Sequence, residues 1–361
     1  MSRPRVLFLL AIGLLLAASP MLAANYAVGS CKPSLPSYAT ISAAVSGVPP
    51  GSTVLVCPGT YPEQVTIAQP LTLKGISSGN AGQAVISVPG SGLTVVTTGF
   101  GYSIAAMVDV TAGPVNISDM TVDGTGNNVI SQWLAGFLYN DGSSGTVNEV
   151  TVRNLSNSGY SAGIWAENST ATNESVTIEN SSFHDIDNSA VKTAGGTLVA
   201  TVKGNTMQAG GFQVAWSSSA GSLTANVIIG GLGGVSVEGP VTVSGNTIAN
   251  STYGITAGGG VTATSNKISN VSYGIFENGG GNTYKSNAIR KVNVGIEFAC
   301  QSPTVFGNTI NDATTGLDYV PSGFSGANSF DNVVTVRTDG CPSAPTSPKA
   351  PHSGPMLAPA R

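Results

Sequence analysis

A short internal repeat constrains the fold of this chain more than any other feature of its sequence. Four times in succession an asparagine is followed eight residues later by a glycine, and each pair begins 20 or 21 residues after the previous one. The pairs are Asn246 with Gly254, Asn266 with Gly274, Asn287 with Gly295 and Asn308 with Gly316. The residues between them are rich in β-branched side chains and lack helical spacing. A period this short predicts a solenoid of stacked β-coils.

Each repeat fits one template of two short strands. Alternation places Val241 and Val243 in the core, a turn follows at Asn246, and Ile248 and Ile255 return to the core. The same frame fits residues 227–237, 261–276, 282–298 and 304–319, and more loosely 115–122 and 176–183. At ~22 residues per coil and ~4.8 Å per strand, residues 54–336 would form about 12 coils of a single rod-shaped domain.

The recurring asparagines predict a ladder along one edge of the rod. Asparagine tolerates the left-handed backbone conformation, and its amide can bond to the amides above and below it. We therefore expect a hydrogen-bonded ladder of Asn205, Asn226, Asn246, Asn266, Asn287 and Asn308.

The two ends of the chain differ from the repeats. A basic start and an apolar run predict a signal peptide over residues 1–24 and a secreted or periplasmic protein, and no later segment is apolar enough to span a membrane. Residues 25–341 form the predicted β-helix domain, with a cap over 31–50 that includes an amphipathic helix at 38–48. Residues 342–361 read as a disordered, proline-rich tail.

The composition limits the partners. Only 9% of residues are charged and the net charge is -4, which argues against nucleic acid as a partner. In an exported protein the four cysteines are expected to pair, and sequence proximity favours Cys31 with Cys57 and Cys300 with Cys341 among the three possible pairings. Each bond would fasten one end of the rod. We expect a monomer.

Several segments near the start carry a family resemblance. Residues 38–45, 50–56, 58–61, 65–67 and 70–75, followed by the repeats, resemble the pectin lyase-like right-handed parallel β-helix proteins. The resemblance implies an all-β fold, a single-stranded right-handed parallel β-helix with a short N-terminal capping helix. It also implies a polysaccharide or cell-surface glycan as the partner.

The catalytic signatures of that family are mostly absent. The sequence has no paired aspartates with Gly-His-Gly, no Asp-Phe-Ile-Phe-Gly strand and no Asp-Pro-His-Asp. Between residues 54 and 334 the only arginines are Arg153 and Arg290, which speaks against a pectate-lyase-like site. The catalytic residues therefore stay unassigned.

Stacking predicts an outward-facing row of side chains that could bind a glycan. Aligning the coils brings Trp165, Lys192, Gln213, Ser236, Thr256, Phe276, Glu297 and Asp318 into this row, with Glu167 and Glu238 two positions further on. Aromatic rings cover sugar faces, while amides and carboxylates bond to hydroxyls. The candidate glycan face is Trp165, Glu167, Lys192, Gln213, Glu238 and Phe276. The alternative is a solvated surface without a ligand.

Two further constellations offer chemistry. Glu297 and Asp318 fall on adjacent coils and could hold calcium or act as an acid and nucleophile pair, although two solvated carboxylates are the simpler interpretation. No other cofactor is expected. Asp119, Asp123, His184 and Lys192 could together form a divergent active site, although His184 lies in a segment typical of a turn.

Three functions remain open from the sequence. The first is a polysaccharide-binding or surface-interaction protein without evident catalysis. The second is a polysaccharide lyase or glycoside hydrolase with a divergent site, and the third is a structural or adhesive rod.

Overall fold

The computed structural model describes residues 23–77, 83–217 and 219–340. Residues 1–22 of the predicted signal peptide, Cys341 and the predicted tail at 342–361 lie outside the described residues. The N-terminal half contains β1 (Asn25–Val28), β2 (Ser37–Tyr38), α1 (Ile41–Gly47), β3 (Thr53–Val56), β4 (Gly59–Pro62), β5 (Val65–Ile67), β6 (Leu71–Gly75), β7 (Ala84–Ser87), β8 (Thr97–Gly99), β9 (Tyr102–Val110), β10 (Val115–Ser118), β11 (Met120–Asp123), β12 (Trp133–Tyr139), β13 (Gly145–Asn148), β14 (Thr151–Leu155), β15 (Ser161–Glu167), β16 (Glu174–Glu179) and β17 (Ser182–Ile186).

The C-terminal half continues with β18 (Ser189–Ala194), β19 (Leu198–Lys203), β20 (Thr206–Ala209), β21 (Phe212–Ser217), β22 (Ala220–Thr224), β23 (Val227–Ile229), β24 (Gly233–Val237), β25 (Val241–Ser244), β26 (Thr247–Ala249), β27 (Tyr253–Ala257), β28 (Thr262–Thr264), β29 (Lys267–Glu277), β30 (Thr283–Lys285), β31 (Ala288–Glu297), β32 (Thr304–Phe306), β33 (Thr309–Val320) and β34 (Ser329–Asp339).

The strands stack into two long sheets. One has 13 strands and the other has 21, and the chain visits them in turn to build a right-handed parallel β-helix. The strands of neighbouring coils pair in parallel, as β27 with β29 and β29 with β31 do. Strands β8 and β9 differ, because they form an antiparallel hairpin. The all-β parallel β-helix that the repeat and the family resemblance predict is confirmed.

The lumen of the helix holds the hydrophobic core. Val241, Val243, Ile248 and Ile255 are all buried there, as the strand alternation predicts. The same core contains large buried rings, among them Tyr139, Phe137, Trp216 and Tyr284. Parallel strands covered on their inner face in this way require a continuous stack of apolar side chains.

The asparagine ladder is present, and its six predicted members are buried. In Asn246, the backbone N–H and side-chain Nδ2 both donate to Oδ1 of Asn266, at 3.0 and 2.9 Å. The same pair of bonds joins each predicted member to the next and continues to Asn328. The ladder satisfies buried donors and acceptors at every turn.

The conformational reason given for the ladder was wrong. The left-handed residue is the one before each asparagine, as in Ala225 with φ 55° and Ser265 with φ 57°. A second turn does place asparagines in that region, with φ 62° at Asn250 and 55° at Asn270. The ladder asparagines are therefore selected for their amide bonds, not for their backbone freedom.

The repeated glycines have a steric role. A Cβ on Gly254 would lie 2.4 Å from the carbonyl oxygen of Gly274, and one on Gly274 would lie equally close to that of Gly295. Each glycine therefore lets the next coil approach closely, and a larger side chain would push two coils apart.

A helix and a disulfide close the N-terminal end. Helix α1 is shorter than predicted because Tyr38 pairs in β2 and Thr40 is the N-cap, accepting from Ala43 N at 3.1 Å. Cys31 bonds to Cys57, as predicted. The pairing of Cys300 with Cys341 stays a prediction because Cys341 lies outside the described residues. Within the described ranges, no helix has the length and apolar character needed to cross a membrane.

Candidate functional site

The predicted outward row exists over most of its length. Parallel pairing aligns Trp165 with Lys192, and Phe276 with Glu297 and then Asp318. We call the complete register the outer row: Asp109, Leu138, Trp165, Lys192, Ala215, Ser236, Thr256, Phe276, Glu297 and Asp318.

Gln213 does not belong to the outer row. Ala215 is the partner of Lys192, since this coil is two residues longer than the alignment assumed. Gln213 is fully buried at the position that a glycine occupies in later coils. Its side chain accepts from Ala209 N at 2.6 Å and donates to Ala209 O at 2.8 Å. Its placement on an open glycan face was therefore wrong.

Trp165 and Glu167 face away from the lumen, yet they are 0% and 1% exposed. The hairpin of β8 and β9 covers them. A Cβ on Gly99 in this hairpin would lie 2.5 Å from Oε1 of Glu167, so the two residues touch directly. The prediction that Trp165 and Glu167 form part of an exposed platform was wrong, because the irregular N-terminal coils cover their own outer face.

Aromatic rings surround Lys192 beneath the hairpin. The rings of Trp133 and Trp165 meet edge to face, with centroids 5.2 Å apart. Tyr102 packs against both indoles, and Tyr160 packs against Trp133. The Lys192 ammonium lies 5.0 Å from the centroid of each indole ring, within range of cation–π attraction. We call these five residues, together with Asp109 and Glu167, the covered cluster.

The ionisable groups of the covered cluster have shifted pKa values. Burial raises the pKa of Asp109 to about 6. Burial, followed by the charge of Asp141, raises the pKa of Glu167 to about 7, although the N–H groups of Phe100 and of the Trp165 indole oppose this shift. Burial lowers the pKa of Lys192 to about 8, although the charge of Glu167 opposes this shift. Three such shifts in one place are typical of functional sites, and structural ion pairs also produce them.

The covered cluster contains buried polar atoms that lack hydrogen-bond partners. They are Oδ1 of Asp109 and the indole nitrogen of Trp133. The Glu167 carboxylate faces the N–H groups of Phe100 and of the Trp165 indole, but in geometry too loose to satisfy these buried atoms fully. Native proteins satisfy nearly all buried polar groups, so such a concentration needs an explanation.

A second aromatic group lies further along the same face. Tyr253 and Tyr273 stack with centroids 5.3 Å apart, and the edge of Phe276 meets both rings. Phe212 stacks on Tyr253 at 6.2 Å. We call these four residues the aromatic patch. Phe212, Tyr253 and Phe276 are buried and Tyr273 is partly exposed, so the predicted exposure of Phe276 on an open glycan face was wrong. Neither tyrosine was among the predicted site residues, although a tyrosine precedes the repeat glycine in two successive coils.

Carboxylates continue the outer row beyond the patch. Glu297 is 2% exposed and follows Phe276 in register, and Asp318 follows Glu297. Asp318 accepts a bond from Tyr319 N at 3.1 Å and another from the Thr338 hydroxyl. In the part of the chain that the structure describes, no group of three or more His, Cys, Asp or Glu side chains is placed to hold a metal.

Glu238, the last member of the predicted glycan face, is exposed and contacts Gly258 on the next coil. It therefore lies at the corner that follows the outer row.

The alternative catalytic group is not brought together. Asp123, Arg153 and His184 align on consecutive strands, and Arg153 Nε lies 2.8 Å from Asp123 Oδ2. Lys192 lies on β18 in the outer row, on a different strand stack. Asp119 pairs with Lys74 at 3.6 Å. The predicted cluster of Asp119, Asp123, His184 and Lys192 was therefore wrong.

Comparison with known proteins agrees with this architecture. The family model described as right handed beta helix region matches residues 193–335. No curated protein matches the chain significantly in sequence.

Solved structures resemble the whole rod. The mannuronan C-5 epimerase AlgE4 A-module of Azotobacter vinelandii is 17% identical, with a TM-score of 0.52 over 81% of this chain and 90% of that one. The Dettilon tailspike protein gp208 is 13% identical, with a TM-score of 0.52 over 81% of this chain and 63% of that one. The family match and these likenesses agree with the fold of the chain, a right-handed parallel β-helix.

Proposed function

We propose that this protein is exported and binds polysaccharide along its outer row, with Tyr273, the partly exposed ring of the aromatic patch, as the main contact. The stacked rings of Tyr253 and Tyr273 beside Glu297 are the observation that carries this proposal. Sugar rings pack on aromatic faces, and carboxylates accept bonds from sugar hydroxyls. The Cys31–Cys57 disulfide supports export.

The rod shape favours a long ligand. Parallel strands repeat at ~4.8 Å, so the outer row offers regularly spaced contacts along one direction. The similar fold of a module named mannuronan C-5 epimerase supports a polysaccharide as the ligand class at the level of the fold.

Retention on immobilised polysaccharides tests the proposal. Neutral and uronic-acid polymers are compared, and Tyr273→Ala is expected to reduce retention about tenfold, a loss of roughly 1.4 kcal/mol. Phe306→Ala is the matched control, because Phe306 is a partly exposed ring on β32 in the other sheet. Unchanged retention of Tyr273→Ala, or equal loss in both variants, contradicts the proposal.

Calcium at Glu297 and Asp318 is a separate part of the proposal. Calcium takes six to eight oxygen ligands, so these two carboxylates would need sugar or water oxygens to complete the shell. Retention should then rise with added calcium and fall in chelator for the wild type. Glu297→Gln should respond to neither.

The covered cluster favours catalysis as a second candidate function, that of a polysaccharide lyase or glycoside hydrolase. A lysine with its pKa lowered to about 8 can accept a proton near neutral pH. New reducing ends with ultraviolet absorbance from unsaturated products would indicate a lyase, and new ends without it a hydrolase. No new ends over a broad panel would exclude this candidate.

A further inference from the structure

The unpartnered atoms of the covered cluster define a ligand by their hydrogen-bonding character. Trp133 contributes an indole donor and Asp109 an acceptor. The Trp165 indole and the Glu167 carboxylate, which meet only in loose geometry, contribute one more of each kind. A metal ion would satisfy the acceptors only. An anion would satisfy the donors only and would be repelled by Glu167. A hydroxyl group both donates and accepts, so a ring that carries several hydroxyls can satisfy both kinds of atom.

The surroundings of these atoms suit the same ligand. Two indoles and two tyrosine rings provide apolar faces, and Lys192 provides a third donor between the indoles. A sugar unit has apolar C–H faces and a rim of hydroxyls, which matches this combination.

The hairpin closes the cluster and is only lightly held. Strand β8 pairs with β9 alone, through Thr97 with Ile104, Thr98 with Ser103 and Gly99 with Tyr102. Side-chain bonds from Asn140 to Thr97, at 3.2 Å, and between Gln64 and the backbone of Val95 add to its attachment, as does the Phe100 N–H, which faces the Glu167 carboxylate. A segment with so few contacts can open without unfolding the coils.

The outer surface of this segment is unusual as well. Val95, Val96 and Phe100 are 52%, 40% and 45% exposed. Phe100 and Gly101 form the turn, both with positive φ, at 46° and 80°. The contact of Gly99 with Glu167 places this turn directly above the Glu167 carboxylate.

We propose that the covered cluster is a closed binding site for a single sugar unit, and that β8 with its turn at Phe100 and Gly101 is the lid. This inference rests on the proposed polysaccharide function. The covered cluster would bind the end or a branch of the polysaccharide chain, whereas the aromatic patch would bind along its length. The unit would enter after the lid lifts from Glu167.

Tryptophan fluorescence tests the site directly. Trp133 and Trp165 belong to the site and Trp216 lies in the lumen, so a bound sugar should change the emission saturably. Glucose and galacturonate are the probes, one neutral and one anionic. Glu167→Gln and Trp165→Phe should each weaken binding about tenfold, or roughly 1.4 kcal/mol. Wild-type circular dichroism in both variants shows that they remain folded.

A second variant tests the lid. Gly99→Ala forces the turn away from Glu167, so the fluorescence change on sugar binding should be about tenfold faster. This corresponds to ~1.4 kcal/mol less free energy in favour of the closed lid. Gly196→Ala is the control, because Gly196 lies in an exposed turn with open space around its Cβ and, like Gly99, has no positive φ, so any general cost of such a substitution appears there. An equal rate in Gly99→Ala and wild type contradicts the lid.

The outcomes separate this site from the aromatic patch. Tyr273→Ala should lose polysaccharide retention and keep the fluorescence response to the single sugars. A response without retention would remove the patch proposal alone. No response to either sugar, in both wild type and Gly99→Ala, would assign the unpartnered atoms to ordered water and overturn the inference.

Discussion

The ammonium nitrogen of Lys192 lies 5.0 Å from the centroid of the Trp165 ring. It is equally close to the Trp133 ring, and the two indoles are almost perpendicular, at 86°. The charge is therefore held against aromatic faces rather than in a close ion pair. Attraction to the rings offsets part of the cost of burying the ammonium.

Replacing the lysine should disturb these rings. Lys192→Met keeps the apolar stem and removes the charge, so we expect altered tryptophan emission and a loss of about 1 kcal/mol in the free energy of unfolding. Urea unfolding at pH 6.5 measures the change. Lys267→Met is the control, because Lys267 is exposed on β29. Identical emission from Lys192→Met and wild type would contradict the contact.

A buried glutamate should make stability depend on pH. Glu277 is 0% exposed inside the lumen, where Asn282 Nδ2 donates to its Oε1 at 2.6 Å and the Tyr284 hydroxyl donates to its Oε2. Burial raises its pKa from 4.5 to about 7. The native state thus holds a proton that the unfolded state loses above pH 4.5, so stability falls as the pH rises from about 4.5 to 7.

Glu277→Gln mimics the protonated side chain at every pH. Above pH 7 it should be more stable than the wild type by up to about 3 kcal/mol, and the difference should disappear below pH 4.5. Urea unfolding of both proteins from pH 4 to 8 gives the difference directly. A constant difference over this range would mean that Glu277 does not titrate between the two states.

Breaking the asparagine ladder should be costly. Asn246→Ala leaves the backbone N–H and Nδ2 of Asn226 without their shared acceptor and removes a bond to Leu223 O. Asn226 Nδ2 keeps its bond to Val202 O, but the backbone N–H is left unsatisfied, and with the lost amide bonds this should lower the free energy of unfolding by about 3 kcal/mol. Thr247→Ala, at the exposed neighbouring position, should change it by less than about 0.5 kcal/mol. Similar losses in the two variants would argue against the ladder as the cause.

The repeat glycines should resist even alanine. In Gly254→Ala the new Cβ meets the Gly274 carbonyl oxygen at 2.4 Å and Ile268 Cγ2 at 2.6 Å, so adjacent coils must separate. We expect a loss of about 3 kcal/mol or more in thermal or urea unfolding. Gly280→Ala is the matched control, because its Cβ would lie 3.7 Å from its nearest neighbour, Gln301 Oε1. Tolerance of Gly254→Ala would show that the coils can shift at little cost.

The parts of the structure that repeat were predictable from the sequence. Asn246 and Gly254 recur at a fixed spacing because each coil must meet the next with the same amide bonds and the same close approach. The period therefore predicts both the ladder and the register of Phe276, Glu297 and Asp318. The period did not predict the register at Gln213, because this coil is two residues longer and Phe212 takes an outward position.

The tertiary structure decided which outward-facing residues are covered, because the repeat period carries no information about this. The sequence determined the solenoid, its core and the outward direction of Trp165, because alternation and stacking are local rules repeated along the chain. Only the folded chain decided that Gly99 and the rest of its hairpin cover Trp165 and Glu167. That contact joins residues nearly 70 positions apart in sequence, in an irregular segment with no repeat to fix its path. Burial by such a segment turned a predicted open platform into a closed cluster with shifted pKa values and unpartnered polar atoms.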